Sequence, residues 1–594
     1  MRRPWLMPTL LFVATLAAVL PLLSSDVSFE DSAEYTAAAA VFGQPHPSGY
    51  PLYVALAHVF SRLPIGTVPW RVAFFSALCA AAAATMLFVA ARRLMARRGR
   101  PLPLVAEVLM AACFLQLAAT LTWLSQAAAA EVNAFHAALF AAVTLALVPR
   151  EGDKNWKPYA ACLFFGLSCA NHLYLSLAAA PAFALALAVA EPRTWRSGRV
   201  MAACAVAFAL GLLPYAFIPL MSRGAYVYMP AEGALSVFRM VARSSYGDVT
   251  THGWNKFGFV AAYVTQLAVE LGPLVLAAAA FGAWRLAGKK DRRRRAVLLW
   301  AAGPILAVPV VALFYGMDFS AQASYIYRAY AVGGMAALAF LAACGFAEAL
   351  SLVPRRLTAA LVLVSLALPA ATYASARATA AAYADPFPGA NARAILAPLP
   401  RGAVLIAADE GIVKDTELFG LSYLQSVEGF RRDVTVINEA VERPLVIPPL
   451  PQGYLRLDLT DRRRALIEAV RGDATYAGRP LYATFAVEGS MPGLRSVSNG
   501  AVYRLTDQAT PAPEAPAPQP PIDLRLAGRH YALGAVASHA LYARAARLQD
   551  EQGKREALAI LLEAMRLDPR PFSQDYQDYL AHRGASLVPG QVLE

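Results

Sequence analysis

From Leu6 to Tyr373 long apolar runs alternate with short polar stretches, and after Tyr373 the alternation stops. The runs are roughly 17–25 residues long, the length a helix needs to cross a hydrocarbon core of ~30 Å. They predict about eleven membrane-spanning helices, near 5–23, 67–91, 103–121, 134–149, 158–170, 173–190, 200–221, 257–284, 296–315, 327–347 and 357–373. The fold class read from this pattern is a polytopic α-helical membrane protein with a C-terminal water-soluble region. Residues 1–373 form its membrane domain.

The rest of the chain changes pattern. Residues 374–507 read as a small mixed α/β domain, with a helical stretch near Asn391–Leu396. Four strands are expected, at Ala403–Ala408, Asp433–Asn438, Tyr482–Val487 and Ala501–Leu505, where β-branched and aromatic residues sit beside turn formers. Residues 508–521 are a Pro/Ala-rich linker, extended and semi-rigid. Residues 522–594 read as a helical tail. In it Ser538–Asp550 and Arg555–Leu567 form a helix pair around Gly553, similar to a single tetratricopeptide-type unit. One such unit cannot bury its apolar face alone, so it packs on the preceding domain or docks a partner.

Composition and charge sharpen this picture. Of the 594 residues 58% are hydrophobic and only 16% charged, against about 25% in soluble proteins, so much of the apolar surface must face lipid. The net charge of +13 does not mark a nucleic-acid binder, because the cations fall in alternate loops. Clusters stand at Arg2–Arg3, at Arg92, Arg93, Arg97, Arg98 and Arg100, at Arg150, Lys154 and Lys157, at Arg193, Arg196 and Arg199, at Lys289, Lys290 and Arg292–Arg295, and at Arg355–Arg356. This positive-inside pattern makes the N-terminus cytoplasmic and, with an odd number of spans, the C-terminal region periplasmic to a cell inner membrane. The first span reads as a retained anchor; a cleaved signal peptide would leave the remaining topology unchanged. The six cysteines all lie in predicted spans, so the exported region has neither a disulfide framework nor a CxxC metal site.

The first external loop reads SSDVSFEDSAEYTAAAAVFGQPHPSGYPLYVALAHVF. Ser28 to Phe42 suits a helix lying on the membrane surface, on which Asp31 and Glu34 share a face. A carboxylate at that boundary is partly desolvated, which raises its basicity and suits general-base work. The three prolines and the glycine of Pro45–Pro51 then fix a turn that holds His46 and Tyr50 at the mouth of the membrane domain. The alternative is a solvated acidic helix followed by a structural turn.

Further polar residues stand at the external ends of other spans: Trp123, Gln126, Glu131, Asn133 and His136; Asn171 and His172; Arg223, Tyr226, Tyr228, Arg239, Arg243, Tyr246 and Asp248; Asp318, Tyr325, Arg328 and Tyr330. A common cavity of acids, histidines, tyrosines and arginines suits a lipid-phosphate donor, since arginine clamps phosphate with paired hydrogen bonds. Arg223 and Arg328 are preferred for this over Arg239 and Arg243. The alternative for each is interfacial anchoring. Walker, HExxH, GxSxG and Rossmann patterns are absent. Asp409-Glu410-Gly411 reads as a polar strand-end turn rather than a site.

The run Asp31-Ser32-Ala33-Glu34 followed by His46-Pro47-x-Gly49-Tyr50-Pro51-Leu52-Tyr53 resembles the signature of a family catalogued as domain of unknown function 2723. Its eukaryotic relative is an endoplasmic-reticulum protein O-mannosyltransferase. Glu131 with Asn133, Gly166-Leu167-Ser168, Asn171-His172-Leu173, Pro214-Tyr215, Pro219-Leu220-x-x-Arg223, Tyr423–Gly429 and Arg432-Asp433-Val434 extend the resemblance over residues 5–440. Ala33 stands where the family often has glycine, and Asn133 where it has an aromatic.

The resemblance implies a GT-C-like glycosyltransferase that takes a sugar from a polyprenyl-phosphate carrier at the outer leaflet. It implies Asp31 as the catalytic base of an inverting transfer, with Glu34 assisting or orienting. His46, Tyr50 and Glu131 are expected at the substrate site, and Arg223, His172 or Arg328 at the donor phosphate. The expected partners are a polyprenyl-phosphate sugar, membrane lipids, and an exported protein or envelope glycan as acceptor, with no nucleic acid. No cofactor is expected and no metal, since no metal-ligand spacing occurs. Two other functions remain open at this point: a membrane-anchored envelope scaffold, and a lipid or sugar transporter, the latter disfavoured because the halves show no repeat.

Overall fold

The computed structural model describes residues 4–508, apart from 30, 97–101, 149–157, 193, 244–255, 289–290, 316–327, 408–410, 440–449, 451–453, 455–456, 486, 488–490, 492 and 500, together with residues 551–556 and 559. Tyr246, Asp248, Asp318, Tyr325 and Asp409-Glu410 lie outside the described residues, as do the Pro/Ala-rich linker and almost all of the tail. Within the tail, residues 551–556 are helical through Gly553, so the turn expected at that glycine is not there.

Each of the eleven predicted spans is a helix. Among the described residues seven helices are long and apolar enough to cross a membrane, and an eighth span forms if Leu104–Ala119 and Leu121–Ala128 are taken together across their 66° bend. The other three predicted spans are the shorter helices Leu6–Leu22, Val132–Leu147 and Tyr159–Asn171. The helix Val68–Met95 shows how local chemistry sets such an element. The Thr67 hydroxyl accepts from the Trp70 amide at its start, and Arg92 and Arg93 sit in its last turn, where cations complement the helix dipole.

Two breaks shape the bundle near its functional end. Thr120 is extended (φ −70°, ψ 150°); it ends Leu104–Ala119 and caps Leu121–Ala128, whose N-terminal amide at Thr122 donates to the Glu270 carboxylate at 2.8 Å. Lys256–Ala287 breaks at Gly272 (φ 79°), a conformation that favours glycine, and Pro273 follows without an amide donor. Glu270 also accepts from the Thr122 hydroxyl at 2.6 Å, and Gln266 donates to that hydroxyl at 2.8 Å and to the Arg328 carbonyl at 3.3 Å. Glu270 and Gln266, inside an apolar helix, thus together tie three segments.

The helix predicted to end at 373 runs on to Tyr383 as part of Arg355–Tyr383. Its sequence turns polar after Tyr373 but meets no helix breaker until Asp385-Pro386, so the composition changes before the conformation does.

Beyond it, β1 (Val404–Ala407), β2 (Thr435–Asn438), β3 (Leu481–Ala483), β4 (Arg495–Ser498) and β5 (Tyr503–Thr506) form one sheet in the order β2-β1-β3-β5-β4. β1 pairs parallel with β2 and β3, while β5 runs antiparallel to β3 and β4. The four expected strands are present, and β4 was not foreseen. Period-2 alternation sends Val404 and Ile406 to a core with Leu466, Ile467 and Val470, and Leu405 and Ala407 to the opposite face. That opposite face joins a cluster containing Ala33, Ala37 and Ala38 of the first external loop, and Tyr226 and Tyr228 of the second. The α/β unit therefore packs on the loops that carry the candidate chemistry. Arg393 reinforces the junction by pairing with Asp26 at 3.2 Å and with both oxygens of Glu428 at 2.8 Å.

Candidate active site

The first external loop folds into two helices, Asp31–Val41 and Pro51–Ser61, around the proline-rich turn. The first was expected on the membrane surface. It is instead buried from Ser32 to Ala39, because its small alanines let the second loop and the α/β unit close over it. Asp31 and Glu34 do share a face: both reach His46.

They do so very differently. Glu34 is wholly buried and spends both oxygens. Its Oε1 accepts from the His46 amide at 2.9 Å and from the Tyr226 hydroxyl at 2.9 Å, and its Oε2 meets His46 Nδ1 at 2.5 Å. Burial alone would lower the His46 pKa, but Tyr50, Glu34 and Asp31 together hold it well above the ordinary histidine value. Glu34 and His46 are therefore a buried ion pair, with Glu34 as the group that orients the turn. Asp31, in contrast, has a side chain 38% exposed and no hydrogen-bond partner for its carboxylate among the described residues; His46 Nε2 is 3.9 Å away. Burial beneath the surrounding loops, aided by Glu34, raises its pKa above the usual carboxylate value, while His46 and Arg243 oppose the rise. This is a carboxylate with no hydrogen bond among the described residues and with heightened basicity.

Asp31 lines a cavity together with Tyr50, Glu131, His172 and Tyr330. These come from four loops that the charge pattern places on one side of the membrane. The Glu131 carboxylate also lacks a hydrogen bond among the described residues, and burial and the Asp31 charge raise its pKa well above normal. Glu131 is fixed through its backbone, whose amide donates to Ser76 Oγ at 3.2 Å. His172 is buried, and neither ring nitrogen has a hydrogen-bond partner among the described residues. Tyr50 adopts a left-handed backbone (φ 42°), rare for a bulky residue, and its hydroxyl lies 3.2 Å from His46 Nε2.

Among the arginines of the described residues, Arg243 reaches the site through a lining residue: its Nη2 donates to the Tyr50 hydroxyl at 2.9 Å while its guanidinium lies 5.1 Å from the Tyr174 ring centroid. Arg223 is exposed and does not line the cavity, and Arg239 is exposed as well. Arg328 stands immediately before Ala329 and Tyr330, which do line it. The structure thus brings Asp31, Tyr50, Glu131 and His172 together, sets Glu34 and His46 behind them, and leaves Arg223 outside.

Arg243 reaches the site because the second loop is bolted to the first. Gln44 and Val227 form a parallel bridge, with the Gln44 amide donating to the Tyr226 carbonyl and the Tyr228 amide to the Gln44 carbonyl, both at 2.8 Å. The Gln44 side chain bonds to the Met229 carbonyl and to Ser222. A Cβ on Gly43 would lie 2.2 Å from the Tyr226 carbonyl oxygen, so only glycine permits this contact. Neither Gln44 nor Glu270 was singled out by sequence reasoning. Gln44 sits inside a proline-rich turn, and Glu270 inside an apolar run; an intramembrane acid was the one available signal.

As a metal site the geometry is poor. Asp31, Glu34 and His46 place ligand atoms within 4.8 Å of one another. Both Glu34 oxygens and His46 Nδ1 are already committed to hydrogen bonds, so a cation would have to break the pair that orients the turn.

Residues 31–196 match the family model described as Protein O-mannosyl-transferase TMEM260 N-terminal domain. Protein O-mannosyl-transferase TMEM260 of Mus musculus is 31% identical over 246 residues, which make up 40% of this chain and 31% of that protein. The match thus spans about a third of that relative's length, and the resemblance read from the first-loop signature is borne out. Among solved structures, ArnT from Cupriavidus metallidurans bound to undecaprenyl phosphate superposes with a TM-score of 0.54 at 14% identity, covering 87% of this chain and 100% of that one. At that identity the likeness is one of fold, and it bears out the polytopic helical architecture.

Proposed function

We propose that this chain is a membrane glycosyltransferase that moves a sugar, mannose or another hexose, from a polyprenyl-phosphate donor to an acceptor hydroxyl on the outer face of the membrane. The acceptor is Ser or Thr of an exported protein, or an envelope glycan. The observation that carries the reading is Asp31: a carboxylate without a hydrogen-bond partner among the described residues, with raised basicity, on the wall of a cavity it shares with His172 and with Tyr50, whose hydroxyl accepts from Arg243. The matched family and the fold shared with a protein crystallised on undecaprenyl phosphate support it.

In this mechanism the acceptor hydroxyl attacks the anomeric carbon from the face opposite the phosphate. Asp31 takes the hydroxyl proton as the new C–O bond forms, and the old bond to the phosphate oxygen breaks with inversion. Arg243, held by Tyr50, and His172 stabilise the departing polyprenyl-phosphate anion, in the way fixed donors stabilise developing charge generally. Glu34 and His46 do no bond chemistry; they hold the turn and set the field at Asp31. Transfer proceeds without a metal, and the site faces the periplasm, with the N-terminus in the cytoplasm. The α/β unit closes over the catalytic loop from that side.

The test is sugar transfer by membranes carrying wild-type protein or Asp31→Asn, supplied with labelled polyprenyl-phosphate mannose and scored on exported proteins. Loss of a general base lowers the rate by about 10²–10⁴-fold. Label transferred by wild type, insensitive to a chelator and lost in Asp31→Asn at equal expression, supports the reading. Equal transfer by both proteins removes Asp31 from the mechanism, and chelator-sensitive transfer removes its metal independence.

A further inference from the structure

The cavity has a second polar wall that the transfer mechanism does not use. Gln126, on the half-helix Leu121–Ala128, and Asn133, at the start of Val132–Leu147, both line it and are 7% and 5% exposed. Asn133 Nδ2 donates to Gln126 Oε1 at 2.9 Å. That bond spends one edge of each amide and leaves the other two open. Asn133 Oδ1 is buried with no partner, and no hydrogen bond engages Gln126 Nε2 among the described residues. A buried amide oxygen left without a donor is costly and rare in a folded protein, so its presence on a cavity wall calls for a ligand that supplies one. Glu131, two residues away, adds a carboxylate that is likewise unengaged.

The chemistry of this wall excludes some occupants. An anion would meet the Asn133 oxygen and the Glu131 carboxylate, both acceptors, so phosphate belongs on the Arg243–His172 side. An isoprenoid chain would leave the amide edges unsatisfied. A neutral polyol fits, because each of its hydroxyls both donates and accepts, and an amide pair with one open acceptor and one open donor matches two neighbouring hydroxyls.

We infer that Gln126 and Asn133 form the sugar-reading subsite, recognising hydroxyls of the donor's hexose ring and setting which sugar is transferred. This rests on the transferase reading above. It also gives a role to Asn133, which stands where the resembled family has an aromatic: an amide there exchanges a stacking surface for hydrogen-bond discrimination. A site that hydrogen-bonds a hydroxyl discriminates strongly against analogues lacking it, because its own groups are then stranded.

The experiment uses full-length protein in lipid nanodiscs, polyprenyl-phosphate mannose and its single-deoxy analogues as donors, and Asn133→Leu and Gln126→Leu, which keep volume and remove hydrogen bonding. With wild type, at least one deoxy donor should lose about 10–100-fold in kcat/KM. With Asn133→Leu the full donor should lose a similar factor and the deoxy penalty should shrink to within about twofold, while binding of sugar-free polyprenyl phosphate is unchanged. A deoxy penalty that survives intact in both folded variants overturns the inference and leaves the transferase reading standing. Should either variant fail to bind the sugar-free carrier, wild type alone decides: no deoxy donor losing more than about twofold overturns the inference. Wild type that transfers sugar from none of the donors overturns the transferase reading and this inference with it.

Discussion

Glu34 and Asp31 are three residues apart on one helix face and are both acids at the candidate site, yet the structure gives them separable roles. Replacing Glu34 tests that separation. Glu34→Ala strands the His46 amide, the Tyr226 hydroxyl and a buried imidazolium, each now bonded at 2.5–2.9 Å. Breaking a buried ion pair from one side costs about 3–5 kcal/mol, so this variant is expected to be strongly destabilised. Glu34→Gln keeps the volume and one acceptor oxygen, which still serves the His46 amide and Tyr226. Its amide nitrogen must then face His46 Nδ1, which satisfies both partners only if the imidazole is neutral.

The informative consequence falls on Asp31. In the wild type His46 lowers the Asp31 pKa, and Glu34 raises it by less. Removing both charges therefore raises Asp31 on balance. At the 3.9 Å separation of His46 Nε2 and Asp31 Oδ2, a unit charge pair is worth ~1 kcal/mol when well solvated, and Asp31 is partly exposed. The lost Glu34 charge offsets only part of this, so the net change is upward. Asp31 acts as a base only when ionised, so the acid limb of kcat/KM should move to higher pH in Glu34→Gln, with activity recovered at alkaline pH. The assay is transfer from the polyprenyl-phosphate donor between pH 4 and 9, with thermal unfolding to confirm the fold. An acid limb that stays in place or moves down would refute the assignment of Glu34 and His46 as the pair that sets the field at Asp31.

Three further outcomes follow from the same geometry. Arg243→Ala should raise the donor KM by about tenfold or more through loss of a charged hydrogen bond, whereas Arg223→Ala should change it by less than about twofold; steady-state kinetics on both decides between them. Gly43→Ala forces a Cβ to within 2.2 Å of the Tyr226 carbonyl, so separation of the two loops should cost about 1–3 kcal/mol and show as a lower melting temperature together with weaker donor binding. Glu270→Ala removes the acceptor for the Thr122 amide and should cost about 1–2 kcal/mol by thermal unfolding, with Glu270→Gln restoring most of it because one oxygen can still cap the half-helix.

What could be read from the chain, and what could not, divides along physical lines. The spans were legible because a bilayer dictates the length of each apolar run, and the alternating arginines gave each loop a side; four loops assigned to one side do meet in one cavity. The boundary at 373 was misplaced because polarity changes there while helix propensity does not, and the chain keeps its conformation until Asp385-Pro386. The same confusion of burial with lipid exposure put Asp31–Val41 on the membrane surface. Its alanine-rich face is equally compatible with lipid or protein, and only the covering segments decide. At the site, residue type located the acids but could not rank them, because free and engaged carboxylates have the same letter. That Arg223 lies off the cavity while Arg243 touches Tyr50 was illegible for a related reason. Which loop arginine reaches the site depends on the Gln44–Val227 bridge and on two backbones touching at Gly43, a long-range contact with no local signature. Asn133 is the instructive reverse. In the sequence it is only a departure from a family pattern. Placed beside Gln126 with an open buried oxygen, it becomes the residue with the most to say about which sugar fits.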